Sequence, residues 1–294
     1  MRADRIGEVI FRPFLSRPLS NATFPDADME YLRIIILGVV QGVTEFLPIS
    51  SDGHLVVADR LFGAACGQEM AQGDLLETII LHLGTLGSIL VIYWRRILRL
   101  LTTDRRVIGL LVAGTIPAGV AGLVLEARFK DWLTNPTLTG AMLLINGAIL
   151  LWINRRGDGA LKYQQLSYGQ TLLIGACQAA APLPGISRSG TTIAGGLAVG
   201  LRRDDAATFS FLLAIPAISG AVTVALLKLA KGAAISSSAD TLAIGAVVSF
   251  LVGLVSLKLL LKVLSSSRLN WFGWWCLALG TVVLVWQLSS GRLS

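Results

Sequence analysis

The sequence predicts an all-α polytopic membrane protein with six spanning helices plus two re-entrant helix-turn-helix segments in an inverted repeat. Three observations carry this. First, 54% of the 294 residues are hydrophobic, only 15% are charged, and the mean hydropathy is +0.70. Soluble domains carry about a quarter charged residues. Second, the apolar residues lie in long unbroken runs, not in the short alternating strands of a lipid-facing barrel. Third, two of the runs are short and stop at similar Pro/Ser/Gly turns. A disordered chain, a coiled coil and a small disulfide scaffold are excluded, and an ordinary soluble enzyme is strongly disfavoured.

Eight apolar runs follow in order, at 32–47, 75–94, 107–125, 138–153, 172–184, 208–229, 242–264 and 271–288. At 1.5 Å per residue six of them are long enough to cross the hydrocarbon core. The first is interrupted by Gln41, Glu45 and Pro48, and the fifth ends at Pro182, Leu183, Pro184 and Gly185. Residues 1–28 have mixed charge and lack the apolar core of a signal peptide. They are expected to be a dispensable extension ahead of Met29, with 29–294 forming one integral membrane domain whose repeat halves cover about 31–130 and 168–268. Cys66, Cys177 and Cys276 are scattered and fit packing roles rather than disulfides or metal ligation.

The two broken segments are related without a gap. Gly38, Gln41, Ile49, Ser50 and Gly53 match Gly175, Gln178, Ile186, Ser187 and Gly190, a constant shift of 137. Apolar composition alone does not generate Ile-Ser-x-x-Gly twice. The net charge of +7 is read as topology rather than nucleic-acid binding. Arg95, Arg96, Arg99, Arg105 and Arg106 place the 95–106 loop inside, and alternation puts 126–137 and 230–241 outside. Three crossings then separate the broken segments, so one dips from outside and the other from inside. Broken helices meeting near the midplane mark a site.

The first turn carries Gln41 and Glu45 four apart on one face, then Ser50, Ser51, Asp52 and His54. A carboxylate inside an apolar segment is expensive unless it is paired or binds an ion. A serine beside a histidine is the minimum for an activated hydroxyl. A helix cap at Ser50 or Asp52 is the plainer alternative for those residues alone. The second turn carries Ser187, Arg188, Ser189, Gly190, Thr191 and Thr192 at the start of a small-residue helix. An arginine among backbone amides at a helix N-terminus suits a phosphate. Pairing of Arg188 with Glu45 is the structural alternative, compatible with the first in the unliganded state. Together the turns offer an acidic arm, a hydroxyl and a phosphate clamp, which fits a lipid phosphate or diphosphate with a hard cation.

The chain resembles the bacterial undecaprenyl-diphosphate phosphatase family, also known for bacitracin resistance, over about 31–290. The carriers are the Gln41-to-Glu45 run, the turn from Pro48 to His54, the turn from Pro184 to Thr192, and the Phe209-to-Pro216 run. The resemblance implies removal of the terminal phosphate of undecaprenyl diphosphate, yielding the carrier lipid for peptidoglycan synthesis. It also implies Mg²⁺ or Ca²⁺ and a site open to the outer side of the bacterial inner membrane. Glu45, with Gln41 in support, would bind metal or orient the attacking group. Ser51 would be the nucleophile or its positioner, and His54 the general base or acid. Arg188 would clamp the diphosphate, with Ser50, Ser187, Ser189 and Thr192 as further substrate contacts. The family accepts Glu or Gln at the position of Gln41, so that carboxylate is absent here, and Asp52 stands where Thr is common.

Glu77 is either close behind the site or interfacial. His82 is read as a packing histidine, Asn146 as helix–helix glue, and Trp271, Trp274 and Trp275 as an interfacial belt. The expected partner is the lipid in the membrane, with no nucleic acid and a homodimer left open. The competing functional reading is a transporter or flippase of a phosphorylated lipid, since inverted repeats with broken helices also build transporters.

Overall fold

The computed structural model describes residues 26–66, 75–129, 135–231, 237–266 and 268–289. The expected extension therefore lies almost entirely outside the described residues; its last three, 26–28, already belong to the first helix. Among the described residues there are ten α-helices: α1 Asp26–Thr44, α2 Ser51–Cys66, α3 Leu75–Thr102, α4 Arg105–Arg128, α5 Pro136–Asn154, α6 Tyr168–Gln178, α7 Arg188–Ala198, α8 Arg203–Ala230, α9 Ala239–Ser265 and α10 Asn270–Ser289. Six are long and apolar enough to cross a membrane, namely α3, α4, α5, α8, α9 and α10. They are the six runs expected to span. The arginine-rich 95–106 stretch, expected as a loop, is mostly helix. Only residues 103 and 104 separate α3 from α4, because the arginines extend the helix ends past the apolar windows.

Local chemistry sets several helix starts. Asn135 accepts from the amides of Thr137 and Leu138, with Pro136 as the first residue of α5. Ser167 and Gln170 form a capping box on α6. Ser187 accepts from Gly190 N to cap α7. Ser238 caps α9 through Thr241 N.

The repeat is visible in the packing. Matching α1 through α5 with α6 through α10 exchanges most of the packed pairs. Thus α1 lies on α9 as α6 lies on α4, α3 lies on α9 as α8 lies on α4, and α1 packs on α2 as α6 packs on α7. Glycines bring these helices together and reveal their directions. Gly38 and Gly42 face Val248 and Val252, so α1 runs parallel to α9. Gly109 faces Tyr168 and Gly114 faces Gly175, so α4 runs parallel to α6. Gly84 faces Ser249 and Ser88 faces Gly253, so α3 is parallel to α9. Since α4 reverses α3 after a two-residue link, α1 and α6 point in opposite directions. The matched pair α5 and α10 is antiparallel too. A Cβ on Gly147 would lie 2.8 Å from the Gly273 carbonyl oxygen, and one on Gly280 would lie 2.8 Å from that of Gly140. The helix directions of α1–α5 are thus inverted in α6–α10, and the matched segments extend past the expected 31–130 and 168–268 to take in α5 and α10.

The buried core runs through α3, α4, α8 and α9 and reaches the first turn. Phe46, fully buried in that turn, meets Phe211 of α8 edge to face at 5.7 Å. Gly185 has φ +96°, and a Cβ there would lie 2.4 Å from the Thr139 carbonyl oxygen of α5. Only glycine combines that backbone with that approach. Each turn is thus pressed against a spanning helix, and the two turns face one another.

Candidate active site

The turn between α1 and α2 supplies the first half of the site. Although α1 ends at Thr44, the Glu45 amide still donates to the Gln41 carbonyl at 3.0 Å. This keeps the two side chains on one face, where Gln41 Nε2 donates to Glu45 Oε2 at 3.2 Å. Ser51 Oγ donates to the same Oε2 at 3.0 Å. From the second turn, Arg188 Nη2 donates to Glu45 Oε1 at 2.5 Å. The two turns therefore meet at one carboxylate, which joins a hydroxyl from the first half to a guanidinium from the second.

Two polar atoms are left open at this junction. Arg188 Nη1 and Gln41 Oε1 are buried and have no hydrogen-bond partner among the described residues. Buried polar atoms are nearly always bonded, so these two can take a ligand, an ion or water. Gln178, the repeat mate of Gln41, is buried with both amide atoms likewise unpartnered.

His54 does not reach Ser51 as the sequence suggested. Its Nδ1 donates back to the Ser50 carbonyl at 2.7 Å. Its Nε2 accepts from the Trp275 indole at 3.1 Å, and the two rings stack. Both ring nitrogens are thus engaged, so the expected Ser51–His54 pair is replaced by Ser51–Glu45. Trp275, expected in an interfacial belt with Trp271 and Trp274, is exposed like them and in addition bonds His54.

His82, read as packing, stands in the site instead. Its Nδ1 is held by the Thr78 carbonyl at 2.8 Å, and its Nε2 lies 3.6 Å from Glu45 Oε2. No local signal in the sequence carries this, because it depends on how α3 packs beside the first turn.

Ser50 is not a conventional cap. Its φ is +72°, left-handed for a non-glycine residue, whereas capping residues adopt extended backbone. Its repeat mate Ser187 does adopt it, at φ −93° and ψ 122°. Such strain costs on the order of 1–3 kcal/mol and concentrates at functional sites. Asp52 sits in the first turn of α2, where a carboxylate favours the helix dipole.

The hydroxyls of the second turn are largely engaged internally. Ser187 and Ser189 bond each other at 3.1 Å. Thr192 donates to the Arg188 carbonyl at 2.8 Å and meets Ser210 Oγ of α8 at 2.6 Å. This makes Thr192 a tie between α7 and α8. Glu77 is bonded outside the junction. It binds Arg33 at 2.9 Å and Ser237 at 2.6 Å, while Arg33 also holds Asp59 at 2.8 Å. That network fastens α2 to α1 and α3. Asn146 bonds both turns rather than merely gluing helices. An apolar groove of about 320 Å³ between α1 and α2, lined in part by Val39, Val43, Val57 and Leu61, begins beside Thr44 and His54.

The chain is similar in sequence to known proteins over most of its length. An undecaprenyl-diphosphatase of Rhodopirellula baltica is 50% identical over 260 residues, covering 88% of this chain and 99% of its own. One from Desulfatibacillum aliphaticivorans is 39% identical, covering 87% and 99%. One from Methanosphaera stadtmanae is 35% identical, covering 87% and 98%. The family described as bacitracin resistance protein BacA matches residues 34–282, a span that holds every residue of the junction, and this multi-pass membrane protein belongs to that family.

Proposed function

We propose that this protein hydrolyses undecaprenyl diphosphate to undecaprenyl phosphate and inorganic phosphate, recycling the carrier lipid for peptidoglycan synthesis and supporting bacitracin resistance. The observation that carries the reading is the Arg188 guanidinium. Its Nη2 is bonded to Glu45, its Nη1 is buried and open, and the fork sits where the two turns converge. A planar fork with a free donor fits a phosphate bidentately. The apolar groove at α1 and α2 is lined at one end by Thr44, next in sequence to Glu45, and by His54, and it suits the prenyl chain.

A divalent cation, Mg²⁺ or Ca²⁺, fits the donor set. Gln41 Oε1 is open beside the Glu45 carboxylate, and no cluster of three His, Cys, Asp or Glu residues exists among the described residues. Two protein oxygens suffice when phosphate and water complete the shell. Held by Glu45 and Gln41, such a cation would supply Lewis-acid stabilisation of the diphosphate charge.

The chain's own residues then do the following. Arg188 holds the diphosphate and stabilises charge developing on the leaving phosphate. Glu45 Oε2 accepts the Ser51 proton, so that Ser51 Oγ forms a bond to the terminal phosphorus. The bond from that phosphorus to the bridging oxygen breaks, and the lipid monophosphate departs. Water then attacks the phosphoserine, inorganic phosphate leaves, and the proton returns to Ser51. His54 holds the strained Ser50 that aims Ser51. The turns are read as re-entrant, with the site open to the outer side of the bacterial inner membrane. The opposite directions of α1 and α6 and the arginines at the α3–α4 link support this.

The test is phosphate release from undecaprenyl diphosphate by purified protein in detergent, with and without chelator. Chelator-sensitive release is expected. Lipid movement in vesicles with no phosphate released would replace the phosphatase by a flippase.

A further inference from the structure

We infer that Asn146 is the positioning residue that sets the spacing of the two turns, and through it the approach of Arg188 to Glu45 and Ser51. The inference rests on the phosphatase reading of the junction. Asn146 lies in the middle of α5 and is fully buried. Its Nδ2 donates to the Pro48 carbonyl of the first turn at 2.9 Å and to Cys276 Sγ of α10 at 3.3 Å. Its Oδ1 accepts from the Ser187 amide of the second turn at 3.2 Å. One side chain therefore grips both turns.

The groups it grips are those that a broken helix leaves orphaned. Pro48 ends the turn after α1, and Ser187 opens α7. In an apolar surrounding such a carbonyl and amide must find a partner inside the protein. A primary amide offers a donor and an acceptor at once, so a single asparagine satisfies both. Its orientation is dictated by the partners, since Pro48 O needs a donor and Ser187 N an acceptor. Contact between the turns is close here: a Cβ on Gly190 would lie 3.1 Å from Pro48 Cβ and 3.3 Å from Asn146 Oδ1.

Asn146 makes no hydrogen bond to Glu45, Ser51 or Arg188. It holds Ser187, next to Arg188, and Pro48, three positions from both Glu45 and Ser51. A shift of about 1 Å at a reacting centre costs roughly 10²-fold in rate. The amide is thus placed to control turnover without touching the reacting atoms.

The experiment compares wild type, Asn146→Leu and Asn146→Asp. It reads kcat and KM for phosphate release, the melting temperature in detergent, and hydrogen exchange of a peptide covering 185–192. Leu removes both grips at similar volume. Asp keeps the acceptor for the Ser187 amide and loses the amide donor to Pro48. Asn146→Leu is expected to lower kcat roughly 10²-fold, with KM changed less than about threefold. Exchange in 185–192 should accelerate about tenfold or more while the spanning helices stay protected. Asn146→Asp is expected to lose kcat but keep the 185–192 peptide near wild-type protection, and it decides the matter if the Leu variant does not fold. Either folded variant with wild-type kcat, or a Leu variant with wild-type exchange in that peptide, overturns the inference. A wild-type protein that releases no phosphate refutes the phosphatase reading instead, and the exchange comparison still judges the clasp.

Discussion

Arg188 and Glu45, 143 positions apart, form an ion pair at 2.5 Å with side chains only 15% and 7% exposed. Each charge comes from a different half of an inverted repeat. Alone, either would be costly in an apolar interior. Together they hold the turns in register before a substrate arrives, and the open Nη1 leaves the guanidinium able to take a phosphate. The pair therefore unites the structural and the functional readings of Arg188.

Arg188→Lys separates these two. Lysine keeps the charge and loses the fork. Turnover of undecaprenyl diphosphate should fall roughly 10²–10³-fold, as when an oxyanion donor is removed. The detergent melting temperature should stay close to wild type. Near-normal turnover in this variant would remove the clamp from the mechanism.

Ser51 and Glu45 should behave as one unit, because their hydrogen bond carries the proton. Ser51→Ala and Glu45→Gln are each expected to lower turnover by about 10² or more, and the double variant to lose little further. Quenched single-turnover reactions should trap a phosphoserine at Ser51 in the wild type. If Ser51→Ala turned over normally, water would be the direct nucleophile.

His54 acts on the Ser50 carbonyl, and asparagine can place an amide nitrogen where its Nδ1 stands. His54→Asn should therefore retain at least about tenfold more turnover than His54→Ala, since misplacing the following Ser51 slows the reaction. Equal and severe losses in both variants would instead assign His54 a proton-transfer role.

The cation should be weakly held by the protein alone. Chelation is expected to abolish turnover, and Mg²⁺ or Ca²⁺ to restore it. Gln41→Glu should lower the cation concentration that gives half-maximal rate, and Gln41→Leu should raise it, because the second adds no oxygen where Oε1 now stands. A half-saturation point unmoved by both substitutions would exclude Gln41 as a ligand.

The sequence by itself determined the six spans, because hydropathy is local and additive: each long run must be a helix wherever it packs. It also marked where two helices break, near Pro48 and the Pro182-to-Gly185 turn, although α1 stops at Thr44 and α6 at Gln178, and Pro117 and Pro216 lie within unbroken helices. The 137-residue shift exposed the repeat, and a lone arginine amid apolar segments exposed Arg188. Tertiary structure alone decided which side chains touch. Ser51 and His54 are near in sequence, yet the ring turns back to Ser50 and outward to Trp275. His82 reaches Glu45 only because α3 packs beside a turn of another segment. Ser50 takes a left-handed backbone while its repeat mate Ser187 does not, although both sit in the same Ile-Ser-x-x-Gly motif. Asn146 looked like any polar residue in an apolar helix until Pro48 and Ser187 closed on it. Local pattern measures how each segment partitions into lipid, whereas a site depends on distances between segments that only their mutual packing sets.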